Sequence, residues 1–142
     1  PANFNASRLI VVLARTISQQ ISCPLDSFSS FEIMAKRIAS KNNIFKNKQS
    51  FWIYKKLKRK GFIAGKYEVC HNEANNKDLI IRETVLPKVI EKLKNRELFF
   101  EAIYDDKEDL IELLDLTSKK LLNTNVNSWQ RVLPLYPISP IN

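Results

Sequence analysis

The sequence predicts an α+β domain that is mostly helical, with a two-stranded hairpin in the middle and a helical extension at the C-terminus. Apolar residues recur at helical spacing near both ends of the chain, whereas residues 66–85 contain alternating runs rich in β-branched residues. Two glycines among 142 residues argue against a barrel or a sandwich. A hydrophobic content of 44% is sufficient for a buried core.

Two helices are predicted in the N-terminal part of the chain. The first covers residues 5–21, where Asn5 or Ser7 can cap the start and Pro24 follows the end. Its apolar face has four-residue spacings: Leu9, Leu13, Ile17 and Ile21. The second covers about residues 27–40, with its apolar face formed by Phe31, Met34, Ala35 and Ile38.

A third helix is predicted over about residues 47–60, where an aromatic run meets a dense run of positive charge. If Ile53 and Leu57 face the core, the opposite face follows at ~100° per residue. That face carries Lys48, Trp52, Lys55 and Arg59. Such a face suits a helix in the major groove of DNA, because its cations can contact phosphates and base edges. The alternative is a solvated charged face without a partner.

Positive charge is concentrated in one part of the chain. The net charge is +8 and the isoelectric point is near 9.6. Between Ser27 and Lys66, eleven Lys or Arg residues accompany a single acid, Glu32, whereas residues 86–124 carry seven basic and nine acidic residues. This distribution favours a polyanionic partner for the segment from Ser27 to Lys66.

Two segments together resemble the winged helix-turn-helix superfamily. Met-Ala-Lys-Arg-Ile at 34–38 is similar to its second helix, and Tyr-Lys-Lys-Leu-Lys-Arg-Lys-Gly-Phe-Ile at 54–63 is similar to the end of its recognition helix. The resemblance covers about residues 7–85, with an interval between the two segments that is several residues longer than the commonest form. It implies that Leu57 packs inward and that Gly61 ends the recognition helix.

The hairpin corresponds to the wing that the resemblance implies. Its strands are predicted at residues 66–71 and 79–85, because both runs contain β-branched or alternating apolar residues. Residues 72–78 have the composition of a turn, and the hairpin tip is expected at residues 74–77.

The C-terminal part is predicted to be helical and then extended. Pro87 suits the first turn of a helix reaching about residue 105, and a leucine-rich helix is predicted over residues 107–122. That second helix either packs back onto the domain or forms a homodimer. Prolines at every third position of the tail predict an extended strap. The predicted divisions are therefore 1–85 for the nucleic-acid-binding module, 86–128 for the helical extension and 129–142 for the strap.

Signals of catalysis, metal binding and membrane insertion are missing from the sequence. It contains no paired acids in a cleft pattern, no His/Cys ligand spacing, no nucleophile elbow and no glycine-rich phosphate loop. We therefore expect no enzyme, no cofactor and no metal. Cys23 and Cys70 are isolated thiols, which favours a reducing compartment, and the apolar run 9–14 is too short for a membrane span. The expected location is cytoplasmic, or nuclear in a eukaryote.

These features predict a protein that binds double-stranded DNA as a transcriptional regulator. The expected contacts are Lys36, Arg37, Lys41, Lys46 and Lys66 on phosphates, and Lys48, Gln49, Trp52, Lys55, Lys56 and Arg59 in the groove. One alternative is the DNA-binding part of a replication or mobile-element protein. Others are a protein-interaction module that docks through Phe51 and Trp52, and an RNA-binding protein that uses the same basic face.

Overall fold

The computed structural model describes residues 4–44, 48–58, 61–72, 75–93, 97–121 and 126–136. In chain order the elements are α1 (Phe4–Ile21), α2 (Ser30–Lys41), β1 (Ser50–Lys56), β2 (Phe62–Asn72), β3 (Asn75–Ile90), β4 (Phe99–Glu101), α3 (Asp106–Leu121) and a 3-10 helix (Val126–Arg131). The chain forms two compact units. One unit is Ser30–Glu112, and the other combines Pro1–Ser29 with Leu113–Asn142.

The unit Ser30–Glu112 is built on a four-stranded mixed sheet. Its strand order is β3-β2-β1-β4, with antiparallel pairing between β1 and β2 and between β2 and β3. Strand β4 pairs in parallel with β1, so that Ile53 lies opposite Phe100. The central strands β1 and β2 are therefore bonded on both sides.

The core of this unit lies between α2 and one face of the sheet. Helix α2 packs against β2 and β3, and alternate residues of β1 and β2 point toward it. The buried side chains are Phe31, Met34, Ala35, Ile38 and Ala39 from α2 and Phe51, Ile53, Ile63, Tyr67 and Val69 from the strands. Each fully buried apolar side chain of this size stabilises the fold by ~1.5–3 kcal/mol.

The predicted helix at 47–60 is wrong, because residues 50–56 form strand β1. Phe51 and Ile53 are fully buried while Trp52 and Tyr54 are half-buried, which is the two-residue period of a strand. Aromatic and β-branched residues favour this state. Gly61, with φ of +66°, lies in the turn into β2, where Leu57 N donates to Gly61 O at 2.9 Å. Without a recognition helix, the mostly helical winged helix-turn-helix is not the fold of this chain.

The predicted helix beginning at Pro87 is also wrong. Strand β3 continues to Ile90, and the register shifts where Ala64 pairs with Lys88 but Lys66 pairs with Val85. The extra β3 residue forms a bulge, where a proline lacking an amide proton is tolerated. Pro87 packs there against Gly65, and its Cγ would lie 3.3 Å from a Cβ at that glycine. The predicted module boundary at residues 85 and 86 falls inside this strand.

Other predicted elements are confirmed. Helices α1, α2 and α3 lie within a few residues of the predicted ranges, and β2 and β3 form the predicted hairpin with longer strands. The turn predicted over residues 72–78, with its tip at 74–77, is too long, because residues 75–78 belong to β3 and Asn72 pairs with Asn75. In the tail, the 3-10 helix ends at Arg131 and residues 132–136 have no regular structure, while residues 137–142 lie outside the described ranges.

The second unit joins α1 to the 3-10 helix. The Ser128 hydroxyl accepts from Leu25 N at 2.9 Å and donates to Leu25 O at 2.7 Å. The Arg15 guanidinium lies 5.5 Å from the centroid of the Trp129 ring. These contacts join α1 and the loop after it to the 3-10 helix, which lies about a hundred residues later in the sequence.

Candidate nucleic-acid interface

The sheet face opposite α2 carries four aromatic side chains. We define this aromatic face by Trp52 and Tyr54 on β1, Phe62 on β2 and Phe99 on β4. The strand register places all four on the same side, because Trp52 pairs with Phe99 and Lys56, two residues after Tyr54, pairs with Phe62. All four side chains are half-buried rather than buried. They therefore retain ring surface that a ligand can contact.

The four rings form a continuous row. Trp52 and Phe99 lie nearly parallel, with centroids 5.9 Å apart and 17° between their planes. Tyr54 contacts Phe99 edge to face at 6.3 Å and Phe62 edge to face at 5.6 Å. Such pairs stabilise each other by ~0.5–1.5 kcal/mol beyond their area burial, so the row is held in place before any ligand binds.

An ion pair lies beside the Trp52 end of the row. Lys66 Nζ is 5.6 Å from the Trp52 ring centroid and 3.0 Å from Glu97 Oε1. Trp52 Nε1 is shielded from solvent and has no hydrogen-bond partner among the described residues. A buried donor without an acceptor costs ~1–3 kcal/mol, so native structures contain few of them.

The opposite end of the row is strongly basic. Strand β1 and the turn after it contribute Lys55, Lys56 and Lys58, and strand β3 and the residues after it contribute Lys88 and Lys92. We call these five lysines the basic end of the sheet. Its carboxylates are Glu91 and Glu101, so positive charge predominates. Lys55 Nζ also lies 4.7 Å from the centroid of the exposed Tyr104 ring.

Three predicted phosphate contacts instead pair with acids of α3. Lys36 Nζ is 3.3 Å from Glu112 Oε2, and Lys41 Nζ is 2.6 Å from Glu108 Oε2. Arg37 is buried and its Nη2 lies 2.8 Å from Asp109 Oδ1. These cations hold α2 against the start of α3, so their charge is already compensated within the protein.

Some members of these pairs also line a pocket of about 250 Å³ between α2 and α3. The lining residues are Arg37, Ser40, Lys41, Glu108, Ile111 and Glu112. Because its cations and carboxylates neutralise one another, this pocket is a weaker candidate than the sheet face.

The remaining predicted contact residues lie on the sheet, just before β1 or outside the described ranges. The aromatic face gathers Trp52, Lys56 and Lys66, whereas the strand period directs Lys55 to the other side. Lys48 and Gln49 immediately precede β1 and bond the backbone of Val69. Two residues lie outside the described ranges: Lys46 and Arg59.

Sequence reasoning missed six members of the site: Tyr54, Phe62, Phe99, Lys58, Lys88 and Lys92. The alternating Phe51-Trp-Ile-Tyr54 run contained the signal for one of them, Tyr54, since a two-residue period separates core rings from surface rings. Phe99 could not be placed from sequence, because its neighbour Trp52 is reached only through the parallel pairing of β4.

Within the described part of the chain, no group of three or more His, Cys, Asp or Glu residues is placed to hold a metal ion. The described helices include none that is both long and apolar enough to cross a bilayer. No family model, curated protein or solved structure shows significant similarity to the chain. The candidate site is therefore defined by its own chemistry.

Proposed function

We propose that this protein binds nucleic acid through the aromatic face and the basic end of the sheet. The observation that carries the proposal is the row of four half-buried rings on the sheet face opposite the core, with a cluster of lysines at one end of the sheet. Aromatic rings can stack on bases, and lysines can neutralise phosphates. A net charge of +8 supports a polyanionic ligand.

This proposal keeps the predicted ligand class and replaces the predicted mode of contact. A regulator of transcription and the DNA-binding part of a replication or mobile-element protein both remain candidate roles, since each requires nucleic-acid binding. Docking of a protein partner through Phe51 has no support, because that side chain is fully buried against Tyr67 and Phe100.

A specific observation favours protein binding as a second candidate function. Helix α1 exposes a row of large apolar side chains: Leu9, Ile10, Val12, Leu13, Ile17 and Ile21. Exposed apolar patches commonly mark surfaces that contact other proteins. This surface belongs to the other compact unit, so protein binding by α1 is compatible with nucleic-acid binding by the sheet.

Charge reversal at the basic end tests the proposal. We expect the double variant Lys56→Glu with Lys88→Glu to bind fluorescently labelled oligonucleotides roughly tenfold more weakly or worse, as measured by anisotropy, because each reversal repels phosphate. Both side chains are exposed, so the fold should be retained. The matched control is Lys107→Glu with Arg131→Glu, which changes the net charge equally at exposed positions outside the sheet. Equal losses in the two variants would contradict a site on the sheet.

A further inference from the structure

We infer that the ligand of the aromatic face is a single-stranded polynucleotide whose unstacked bases lie on the row Trp52, Phe99, Tyr54 and Phe62. This inference rests on the proposed function and adds the class of ligand. Single-stranded DNA and single-stranded RNA offer the same chemistry to the row, namely flat bases joined by phosphates.

The width of the sheet disfavours entry into a duplex groove. Adjacent strands lie ~4.8 Å apart, so the outer strands of a four-stranded sheet are separated by ~14 Å before side chains are added. The major groove is ~12 Å wide and admits a helix or a two-stranded ribbon. A duplex on this face would therefore present mainly phosphates, and the rings would have no base to contact.

The spacing of the rings also suits an unstacked strand. Successive centroids along the row are 5.9, 6.3 and 5.6 Å apart. Bases in a duplex stack at a rise of about 3.4 Å, which leaves no space for a protein ring between or beside each of them. An extended strand places its bases farther apart, so separate bases can occupy separate rings.

Charges at both ends of the row can hold the phosphates. The basic end lies beside Tyr54 and Phe62, and Lys66 lies beside Trp52 at the other end. Lys66 already pairs with Glu97, and both side chains are about 30% exposed. Water partly screens a pair with this exposure, so Lys66 can exchange Glu97 for a phosphate.

Fluorescence of Trp52 provides a direct test. The protein has two tryptophans, and replacing the other by Trp129→Phe leaves Trp52 as the reporter. This variant is titrated with oligothymidylate, oligouridylate and a mixed-sequence duplex, each of about 15 nucleotides or base pairs per strand. We expect both single strands to quench Trp52 and to bind at least roughly tenfold more tightly than the duplex, because only unstacked bases reach the ring. The ratio between the two single strands assigns DNA or RNA as the preferred source.

Substitutions in the row test stacking separately from charge. We expect Phe99→Leu to weaken single-strand binding by roughly tenfold, since an aliphatic side chain cannot stack on a base. The control is Tyr104→Leu, which removes an exposed aromatic outside the row and should change binding less than about threefold. Circular dichroism identifies unfolded variants, and quenching of Trp52 remains informative if Phe99→Leu unfolds.

The outcomes separate the two proposals. Tight duplex binding without quenching of Trp52 would overturn the single-strand inference and leave nucleic-acid binding intact. Single-strand binding that is equally affected by Phe99→Leu and Tyr104→Leu would overturn stacking on the row. Absence of binding to every oligonucleotide at about 50 mM salt would overturn both proposals.

Discussion

Arg37 on α2 and Asp109 on α3 form a forked ion pair, in which Nε and Nη2 lie 2.9 and 2.8 Å from the same carboxylate oxygen, Oδ1. Arg37 Nη2 also donates to Ile103 O at 2.8 Å. The other carboxylate oxygen, Oδ2, accepts from Asp105 N at 3.0 Å. One buried guanidinium therefore fixes the segment that precedes α3 as well as the helix itself.

Loss of this arginine should affect stability rather than ligand binding. We expect Arg37→Met to lower the free energy of unfolding by about 3 kcal/mol, because it leaves Asp109 largely buried without its cation. Urea denaturation followed by circular dichroism measures the loss. The matched control is Lys107→Met on the exposed side of α3, with an expected change within ~0.5 kcal/mol. A stable Arg37→Met protein with weakened oligonucleotide binding would instead show that Arg37 contacts phosphate.

Gly61 should be intolerant of any side chain. Its φ of +66° disfavours other residues, and a Cβ at this position would lie 2.4 Å from Ile90 O. We expect Gly61→Ala to cost about 2 kcal/mol or more of stability, measured by urea denaturation. The comparison is Gly65→Ala. The φ of Gly65 is not positive, and a Cβ at this position would lie 3.1 Å from its nearest neighbour, the hydroxyl oxygen of Tyr67. A smaller loss for Gly61→Ala than for Gly65→Ala would argue against the described turn.

Salt should weaken oligonucleotide binding in proportion to the phosphates contacted. For a single strand, log K is expected to fall with log salt by about 0.7 for each phosphate. Replacing Lys56 and Lys88 with Gln should therefore reduce the slope by about 1.4 if each contacts one phosphate. Titrations at several salt concentrations between about 50 and 200 mM measure the slope of log K against log salt. A slope near zero for the unmodified protein would contradict nucleic-acid binding.

Removal of the carboxylate beside Trp52 should strengthen binding. Glu97→Gln leaves a hydrogen-bond acceptor for Lys66 but removes the charge that competes with phosphate. We expect an affinity gain of roughly threefold with little change in stability, because the pair is partly exposed. The control for the loss of one negative charge is Glu83→Gln. The Glu83 carboxylate accepts a hydrogen bond from the Tyr67 hydroxyl. Equal gains from both variants would indicate a general charge effect.

Dimer formation through residues 107–122 remains a prediction, and exposed apolar residues of α3 make it testable. Leu110 and Leu114 are 56% and 63% exposed. We expect the unmodified protein to be a dimer and Leu110→Lys with Leu114→Lys to be a folded monomer, as measured by light scattering after size exclusion. A monomeric unmodified protein at high concentration, or an unchanged mass in the variant, would contradict pairing through this helix.

Local patterns predicted the three α-helices and the central hairpin because neighbouring residues determine them. The periodicity of Leu9, Leu13 and Ile17 indicates a helix wherever the rest of the chain lies. Strand β1 was mistaken for a helix because its lysines suggested a charged helical face, and a seven-residue run allows both periods. The burial of Phe51 and Ile53 decided between them, and burial depends on tertiary packing.

The candidate site was predicted in part. Lys56, Lys66 and Trp52 were identified from charge and aromatic content, but their grouping depends on cross-strand register. The roles of Lys36, Arg37 and Lys41 were unpredictable for a related reason. Their acidic partners on α3 lie some 70 residues later in sequence, and only the fold brings the two helices together.

Parallel pairing of β4 with β1 has a consequence for synthesis of the chain. Strands β1, β2 and β3 are consecutive and can pair as soon as they leave the ribosome, whereas Trp52 N must wait for Leu98 O and Tyr54 O for Ala102 N. Closing the long loop between β1 and β4 is slow compared with forming a hairpin. Until residues 98–102 emerge, β1 is an open edge with unpaired backbone groups beside the exposed ring of Trp52. Between the emergence of residue 90 and that of residue 102, the nascent chain therefore presents an edge strand to which another chain can pair.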